Sequence, residues 1–152
     1  VIEIFVDADA CPVKDETYVV ATRYGVRVVL VANSRMHVPE DLGVTLILVD
    51  EGPDAADDWI AEHVEPGDVV VTADVPLAAR CLASGARVID TNGRIFDEDS
   101  IGGRLATRDL NAHLREAGIG SGGPAPLSQR DRSRFASRLD ELVQASLREQ
   151  GT

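Results

Sequence analysis

The stretch Ile4-Phe5-Val6-Asp7-Ala8-Asp9-Ala10-Cys11-Pro12 decides how the rest of the chain is read. An apolar run that stops at two aspartates, with a proline close behind, reads as a buried strand that ends in a site and turns into a helix. Pro12 suits the first position of that helix, where its missing N–H costs nothing. In open α/β sheets ligands sit in the crevice beyond the carboxyl ends of the strands, so Asp7 and Asp9 stand where chemistry is expected.

Strand-like runs recur outward from this stretch, at Val1 to Val6, Val26 to Ala32, Val44 to Val49, Val69 to Thr72 and Ala86 to Ile89. Between them Val13, Thr17, Val20 and Tyr24 fall on one helical face, and Gly25 closes that helix. Asp54 to Val64 predicts a short helix with Ala56, Trp59, Ile60, His63 and Val64 inward, stopped by Pro66-Gly67. Leu77, Cys81 and Leu82 give the next helix its apolar side, and Gly85 ends it. The segment Asn33 to Gly43 has no clear period. Strands alternating with helices predict an α/β fold, a mainly parallel central sheet with helices on both faces.

Beyond Asn92-Gly93 the pattern turns to helices alone. One is expected from about Ser100 to Ala117, followed by a Gly/Pro-rich connection, Gly118 to Pro126, and a second helix from Ser128 to about Arg148. The stretch 99–148 thus reads as a helical extension of one domain spanning 1–152. Phe135, Leu139, Leu142 and Val143 form a stripe on the last helix, which is expected to pack on the sheet or to make a homodimer through the C-terminal helices.

The 152 residues, 44% of them hydrophobic, suffice for one buried core. No apolar run approaches the roughly 20 residues of a membrane span, and the chain opens on a strand rather than a basic leader, so a cytoplasmic location is expected and no membrane partner. Cys11 and Cys81 are too few for a disulfide framework or zinc ribbon. The net charge of −11 lies wholly in residues 1–93, with six basic and 17 acidic side chains, while 94–152 hold nine of each. Such a balance excludes a generic polyanion binder but leaves room for a local basic patch.

Acids gather where strands give way to loops: Asp7 and Asp9 after the first, Asp54 and Asp57 after the third, Asp74 after the fourth and Asp90 after the fifth. Several carboxylates converging on one crevice repel one another unless a cation lies between them. Magnesium or manganese suits such oxygen ligands. At roughly 100° per residue Asp57 lies beside the buried face of its helix while Asp58 points away, which favours Asp57.

Each acid also has a plainer reading. Asp54 can cap its helix with Asp57 in the favoured first turn, Asp74 before Val75-Pro76 can be a turn or cap residue, and Asp90 before Thr91-Asn92-Gly93 suits a turn still better. Asp7 and Asp9 have no capping job that needs both. Cys11 is expected to be a small buried residue rather than a nucleophile. His37, His63 and His113 lack metal-ligand spacing, and His63 reads as a packed core or edge side chain. Ser128-Gln129-Arg130-Asp131 has the form of a capping box with Asp in place of Glu. Arg130, Arg132, Arg134 and Arg138 then offer either a phosphate grip or a solvated helix face.

Val6-Asp7-Ala8-Asp9-Ala10-Cys11-Pro12-Val13, Val31-Ala32-Asn33-Ser34, Gly52-Pro53-Asp54-Ala55-Ala56-Asp57 and Thr72-Ala73-Asp74-Val75-Pro76-Leu77-Ala78 together resemble the YaiI/YqxD family of uncharacterised bacterial proteins. Arg108-Asp109, Gly122-Gly123-Pro124 and Ser128-Gln129-Arg130-Asp131 extend the resemblance, which runs from about Ile4 to Leu139. It implies a fold similar to PIN-like nuclease domains, whose acids hold Mg²⁺ or Mn²⁺. On this chain those roles would fall on Asp7, Asp57 and Asp74, with Asp9 and Asp54 as auxiliary metal ligands or water-positioning groups. Lys14, Asn33, Ser34 and Arg130 are the expected substrate contacts. The chain departs from the nuclease pattern in having only Asp90 for its last acid, and in its acidic surface.

The leading expectation is a metal-dependent nuclease acting on RNA. A haloacid-dehalogenase-like phosphatase is the alternative enzyme, since Asp7-Ala8-Asp9 after a strand also resembles that family's nucleophile and acid pair. Against it, Asp57-Asp58 precedes Thr72-Ala73-Asp74, and the only lysine is Lys14. A non-catalytic metal- or RNA-binding module on the same fold is the third reading.

Overall fold

A computed structural model describes residues 1–39, 42–52, 54–101 and 127–150. Five parallel strands, β1 (Glu3–Asp7), β2 (Arg27–Ala32), β3 (Val44–Leu48), β4 (Val69–Val71) and β5 (Arg87–Ile89), lie beside β6 (Ile95–Phe96), which is antiparallel to β5. The spatial order is β3-β2-β1-β4-β5-β6. From β1 the chain winds outward through β2 to β3 and then returns to the other side of β1 as β4, which opens a crevice between the carboxyl ends of β1 and β4.

Both sheet faces are covered, which is why β1 reads as an unbroken apolar run. On one face Ile4 and Val6 pack against α1 (Lys14–Tyr24) and α4 (Gln129–Gln150). On the other, Phe5 meets α2 (Ala55–His63) and α3 (Val75–Ala83). Side chains alternate along a strand, so Asp7 shares the face of Phe5 and looks toward α2 and α3.

Local chemistry sets the helix ends. Gly25 closes α1 with φ +66°, a conformation an L side chain rarely adopts. Asp74 accepts the Leu77 N–H at 2.9 Å to start α3, with Pro76 in the first turn. The Ser128 hydroxyl accepts the Asp131 N–H at 3.1 Å, and the Asp131 carboxylate accepts the Ser128 N–H at 3.2 Å, the expected capping box.

Phe135, Leu139, Leu142 and Val143 are buried within their own chain, against the sheet and α1. Arg23 pairs with Asp140, and the Tyr24 hydroxyl donates to the same carboxylate at 2.6 Å. Arg87, at the start of β5, donates to Glu149 at 2.6 and 3.1 Å, while Gly93, beyond its end, abuts Arg134 and Phe135. Hence α4 runs antiparallel to β5, with its amino end at the sheet edge where β1 and β4 finish.

Four expectations change. Pro12 is not the first residue of α1: the helix starts at Lys14 with Val13 at its N-cap, and Pro12 stands one residue before that cap. Helices do not take over after Gly93, because Ile95–Phe96 pair with β5. Helical backbone begins at residue 98 rather than 100, and the remainder of that expected helix, with the connection Gly118 to Pro126, lies outside the described residues. His63 is not inward: it is exposed, with its ring stacked on Trp59 at 3.8 Å and its Nδ1 within 2.8 Å of the Trp59 carbonyl. Among the described residues no helix is long and apolar enough to cross a membrane.

Candidate functional site

The crevice between β1 and β4 is built by three elements. β1 delivers Asp7 as its last residue, the end of β4 delivers Thr72 and Asp74, and the first turn of α2 delivers Asp57. Thr72, almost fully buried, ties the first two together. Its hydroxyl donates to Asp7 Oδ2 at 3.1 Å and accepts the Asp74 N–H at 3.0 Å. One oxygen of Asp74 caps α3, so the plain reading of this residue holds for that oxygen.

The acids press on one another. Burial, first of all, raises the Asp7 carboxyl above its ordinary range; Asp74 and Asp9 add to the rise, and the Thr72 hydroxyl offsets part of it. Asp57 is pushed up to about 6 from an ordinary 3.8, by burial and then by the charges of Asp74, Asp7 and Asp54, with Arg80 pulling the other way. Asp57 therefore lies within electrostatic reach of the other three, whereas Asp58 points outward and pairs with Arg80 at 2.8 Å. Asp54 sits at the N-cap position of α2, but its side chain makes no capping hydrogen bond.

Asp9 has a structural task of its own: it accepts the Asn33 N–H at 2.9 Å, and the Asn33 side chain donates to the Gly52 carbonyl at 3.3 Å. These links tie the segment after β1 to the end of β2, and that end to the loop between β3 and α2. Ser34 is exposed nearby in sequence, and Lys14 Nζ donates to the Cys11 carbonyl at 3.0 Å. Asp90 is occupied by the β5–β6 turn, where one oxygen accepts the N–H groups of Asn92 and Arg94, each at 2.9 Å. The turn reading of Asp90 describes it.

Arg130 is exposed and lies on the side of α4 opposite the Phe135 stripe. The arginine that reaches the opening motif is Arg132, which donates to the Pro12 carbonyl at 2.7 Å and to Glu16 at 3.2 Å. Nothing in its local pattern distinguishes it from its neighbours except its place beside the buried stripe. Thr72 was legible only as a strand end, because its role depends on a partner 65 residues away. Cys11 and Cys81 are buried free thiols whose burial raises their pKa, that of Cys81 to about 12, which suits packing rather than nucleophilic attack.

As the side chains stand, no group of three or more His, Cys, Asp or Glu among the described residues is arranged to hold a metal ion. The notch nevertheless offers only hard oxygen donors, and magnesium asks for one or two carboxylates while keeping several waters. The donor chemistry fits a water-rich divalent ion and does not form a closed protein cage.

Fold and notch together define an α/β protein with a carboxylate cluster at its topological switch point. The chain belongs to the family described as uncharacterised, YaiI/YqxD, whose model matches residues 5–145. It is 53% identical over 146 residues to UPF0178 protein amb2838 of Paramagnetospirillum magneticum, covering 96% of this chain and 97% of that one. A UPF0178 protein of Rhodospirillum rubrum is 54% identical over 144 residues, covering 94% and 96%. Among solved structures, Rae1 (YacP) from Bacillus subtilis, as its W164L mutant, aligns with a TM-score of 0.41 and 16% identity, covering 96% of this chain and 99% of that one. That likeness is too loose to carry inference.

Proposed function

We propose that this protein is a divalent-metal-dependent nuclease acting on RNA, with Asp7, Asp57 and Asp74 as its central acids and Asp9 and Asp54 beside them. The observation that carries the reading is the notch itself, where Thr72 bonds both Asp7 and the Asp74 N–H, and where the Asp57 carboxyl is pushed up to about 6, first by burial and then by the charges of Asp74, Asp7 and Asp54. Such crowding costs stability and has an obvious use when a cation relieves it. A bound Mg²⁺ or Mn²⁺ supplies an activated water and steadies charge on the phosphate. The chain's own part is placement. Thr72 fixes the rotamer of Asp7, and the α3 cap holds one oxygen of Asp74. Lys14 keeps two ammonium hydrogens beyond its bond to Cys11, and these, with Asn33, Ser34 and the exposed Arg130, are the groups available to an RNA backbone.

Purified protein with Mn²⁺ is expected to cleave single-stranded RNA, and Asp7→Asn and Asp74→Asn each to abolish cleavage. Activity untouched by both substitutions ends the proposal. Hydrolysis of small phosphate esters instead of RNA, lost in Asp7→Asn, would replace it with the phosphatase reading.

A further inference from the structure

A cleft of about 220 Å³ opens on the α2 face of the sheet. Its floor comes from three strands: Glu3 and Phe5 of β1, Arg27 and Val29 of β2, Thr45 and Ile47 of β3. Alternation along each strand puts these positions on one face. The wall is α2, which lies over β1 and β2 and lends Trp59 and His63 to the cleft. Asp57 and Trp59 are roughly 200° apart around that helix, so the acidic notch and the cleft lie on its opposite flanks. The cleft is therefore a separate place, whether or not the notch cleaves RNA.

Its lining says what would fill it. The wall is a stack of two rings, the indole of the chain's one tryptophan and the His63 imidazole, 3.8 Å apart and 10° from parallel, with Phe5 tilted against the indole at 6.1 Å. Trp59 is half-buried and His63 exposed, so the pair keeps π surface for a flat ligand. The floor sets a carboxylate beside a guanidinium, because Glu3 and Arg27 are register partners on adjacent strands. Opposite charges so placed ordinarily pair. Here neither side chain makes a hydrogen bond or an ion pair, with the other or with any further group, and the Thr45 hydroxyl is equally unengaged. Sites for drug-sized ligands run to roughly 300–1,000 Å³, so this smaller cleft admits one ring system and not a whole nucleotide.

We infer that the cleft binds a guanine base, stacked against the Trp59–His63 rings and read along its Watson–Crick edge by Glu3 and Arg27. The order of groups on that edge makes the selection. A carboxylate only accepts, and guanine alone among the RNA bases offers it two adjacent donors, N1–H and the N2 amine, with the O6 acceptor next in line for a guanidinium. Adenine and cytosine present one donor beside a ring-nitrogen lone pair, which Glu3 repels. Uracil presents one donor between two acceptors. Base stacking on an aromatic wall supplies affinity that does not depend on phosphate, as suits a chain of net charge −11. A free guanine nucleotide and a guanosine within single-stranded RNA offer the same chemistry.

With a single tryptophan in the chain, its fluorescence reports on the cleft directly. The full chain, in EDTA so that no divalent ion takes part, is titrated with GMP, AMP, CMP and UMP. Expected is saturable quenching by GMP with a dissociation constant below about 1 mM, and binding of the other three weaker by about tenfold or more. Glu3→Gln puts a donor where guanine needs an acceptor, and should weaken GMP about tenfold while leaving AMP unchanged. Equal, non-saturating quenching by all four nucleotides overturns the inference, as does a folded Glu3→Gln protein that keeps the full preference for guanine. Amide shifts in the unaltered chain decide the matter even if that variant misfolds: GMP should move Glu3, Arg27 and Thr45, and shifts confined to other residues overturn the inference. Short oligouridines with and without one central guanosine separate the two sources. Tighter binding of the guanosine-containing RNA than of GMP assigns the pocket to RNA, and binding of GMP alone assigns it to the free nucleotide. No arm requires cleavage, so the outcome is independent of the nuclease reading.

Discussion

At the scale of single residues, the Asp57 carboxyl is a stability cost that the fold carries. An acid whose pKa is raised on folding binds its proton more tightly in the native state, so stability falls as pH rises through the interval from 3.8 to about 6. The cost is fully present above 6 and relieved below 4. Asp57→Asn should therefore stabilise the metal-free protein at pH 7.5, by about 1 kcal/mol after allowance for solvent screening, and leave it unchanged near pH 4. Thermal melts of both proteins in EDTA across that range check the sign, and equal melting temperatures at pH 7.5 would remove the electrostatic cost. Asp74 separates charge from architecture. Asp74→Ala loses the cap on Leu77 and should cost about 1 kcal/mol, whereas Asp74→Asn keeps an acceptor there and should cost far less. A loss of activity in the asparagine variant without a matching loss of stability then belongs to the charge.

At the scale of elements, the β5–β6 turn and the start of α4 are locked together through a glycine. Gly93 has φ +88°, and a Cβ there would lie 3.0 Å from the Phe135 nitrogen and 3.1 Å from its Cα. At Gly25, with φ +66°, nothing lies within 4 Å. Gly93→Ala should thus cost about 2–4 kcal/mol, backbone strain plus displacement of α4, and Gly25→Ala only about 1–2 kcal/mol. Denaturant unfolding of the two variants measures the difference. Sequence patterns made most elements legible where burial is two-sided or amphipathic: the apolar runs of β1 and β2, the glycine after α1, and the capping box and stripe of α4. They missed β6, because Ile95 and Phe96 are too few to show a period, and they turned His63 inward because a helical face drawn from spacing alone is wider than the one α2 buries. The placement of Asp7, Asp57 and Asp74 around one crevice was legible because strand ends and helix phase are local properties. The hydrogen bonds of Thr72 and the reach of Arg132 to Pro12 were not, since both join parts of the chain brought together only by the parallel crossover.

At the scale of the whole molecule, net charge and notch make opposing claims on any effect of added ions. A chain of net charge −11 gains stability from any salt that screens its self-repulsion. A specific site at the β1–β4 crevice adds a second contribution that depends on the ion, the concentration and the notch acids. At a hundredfold excess over its dissociation constant, a ligand bound only by the native state adds about 2.7 kcal/mol. For a domain of this size that corresponds to a rise of roughly 5–10 °C in melting temperature. Mg²⁺ or Mn²⁺ should therefore raise the melting temperature of the native protein by several degrees beyond NaCl of equal ionic strength. The double variant Asp7→Asn/Asp74→Asn should begin higher without divalent ion, because two crowded charges are gone, and should then gain no more from Mg²⁺ than from NaCl. The two curves are expected to converge or cross as the divalent ion is titrated. Parallel curves, displaced but equally responsive to both salts, would mean that general screening accounts for the whole effect and that the notch holds no ion.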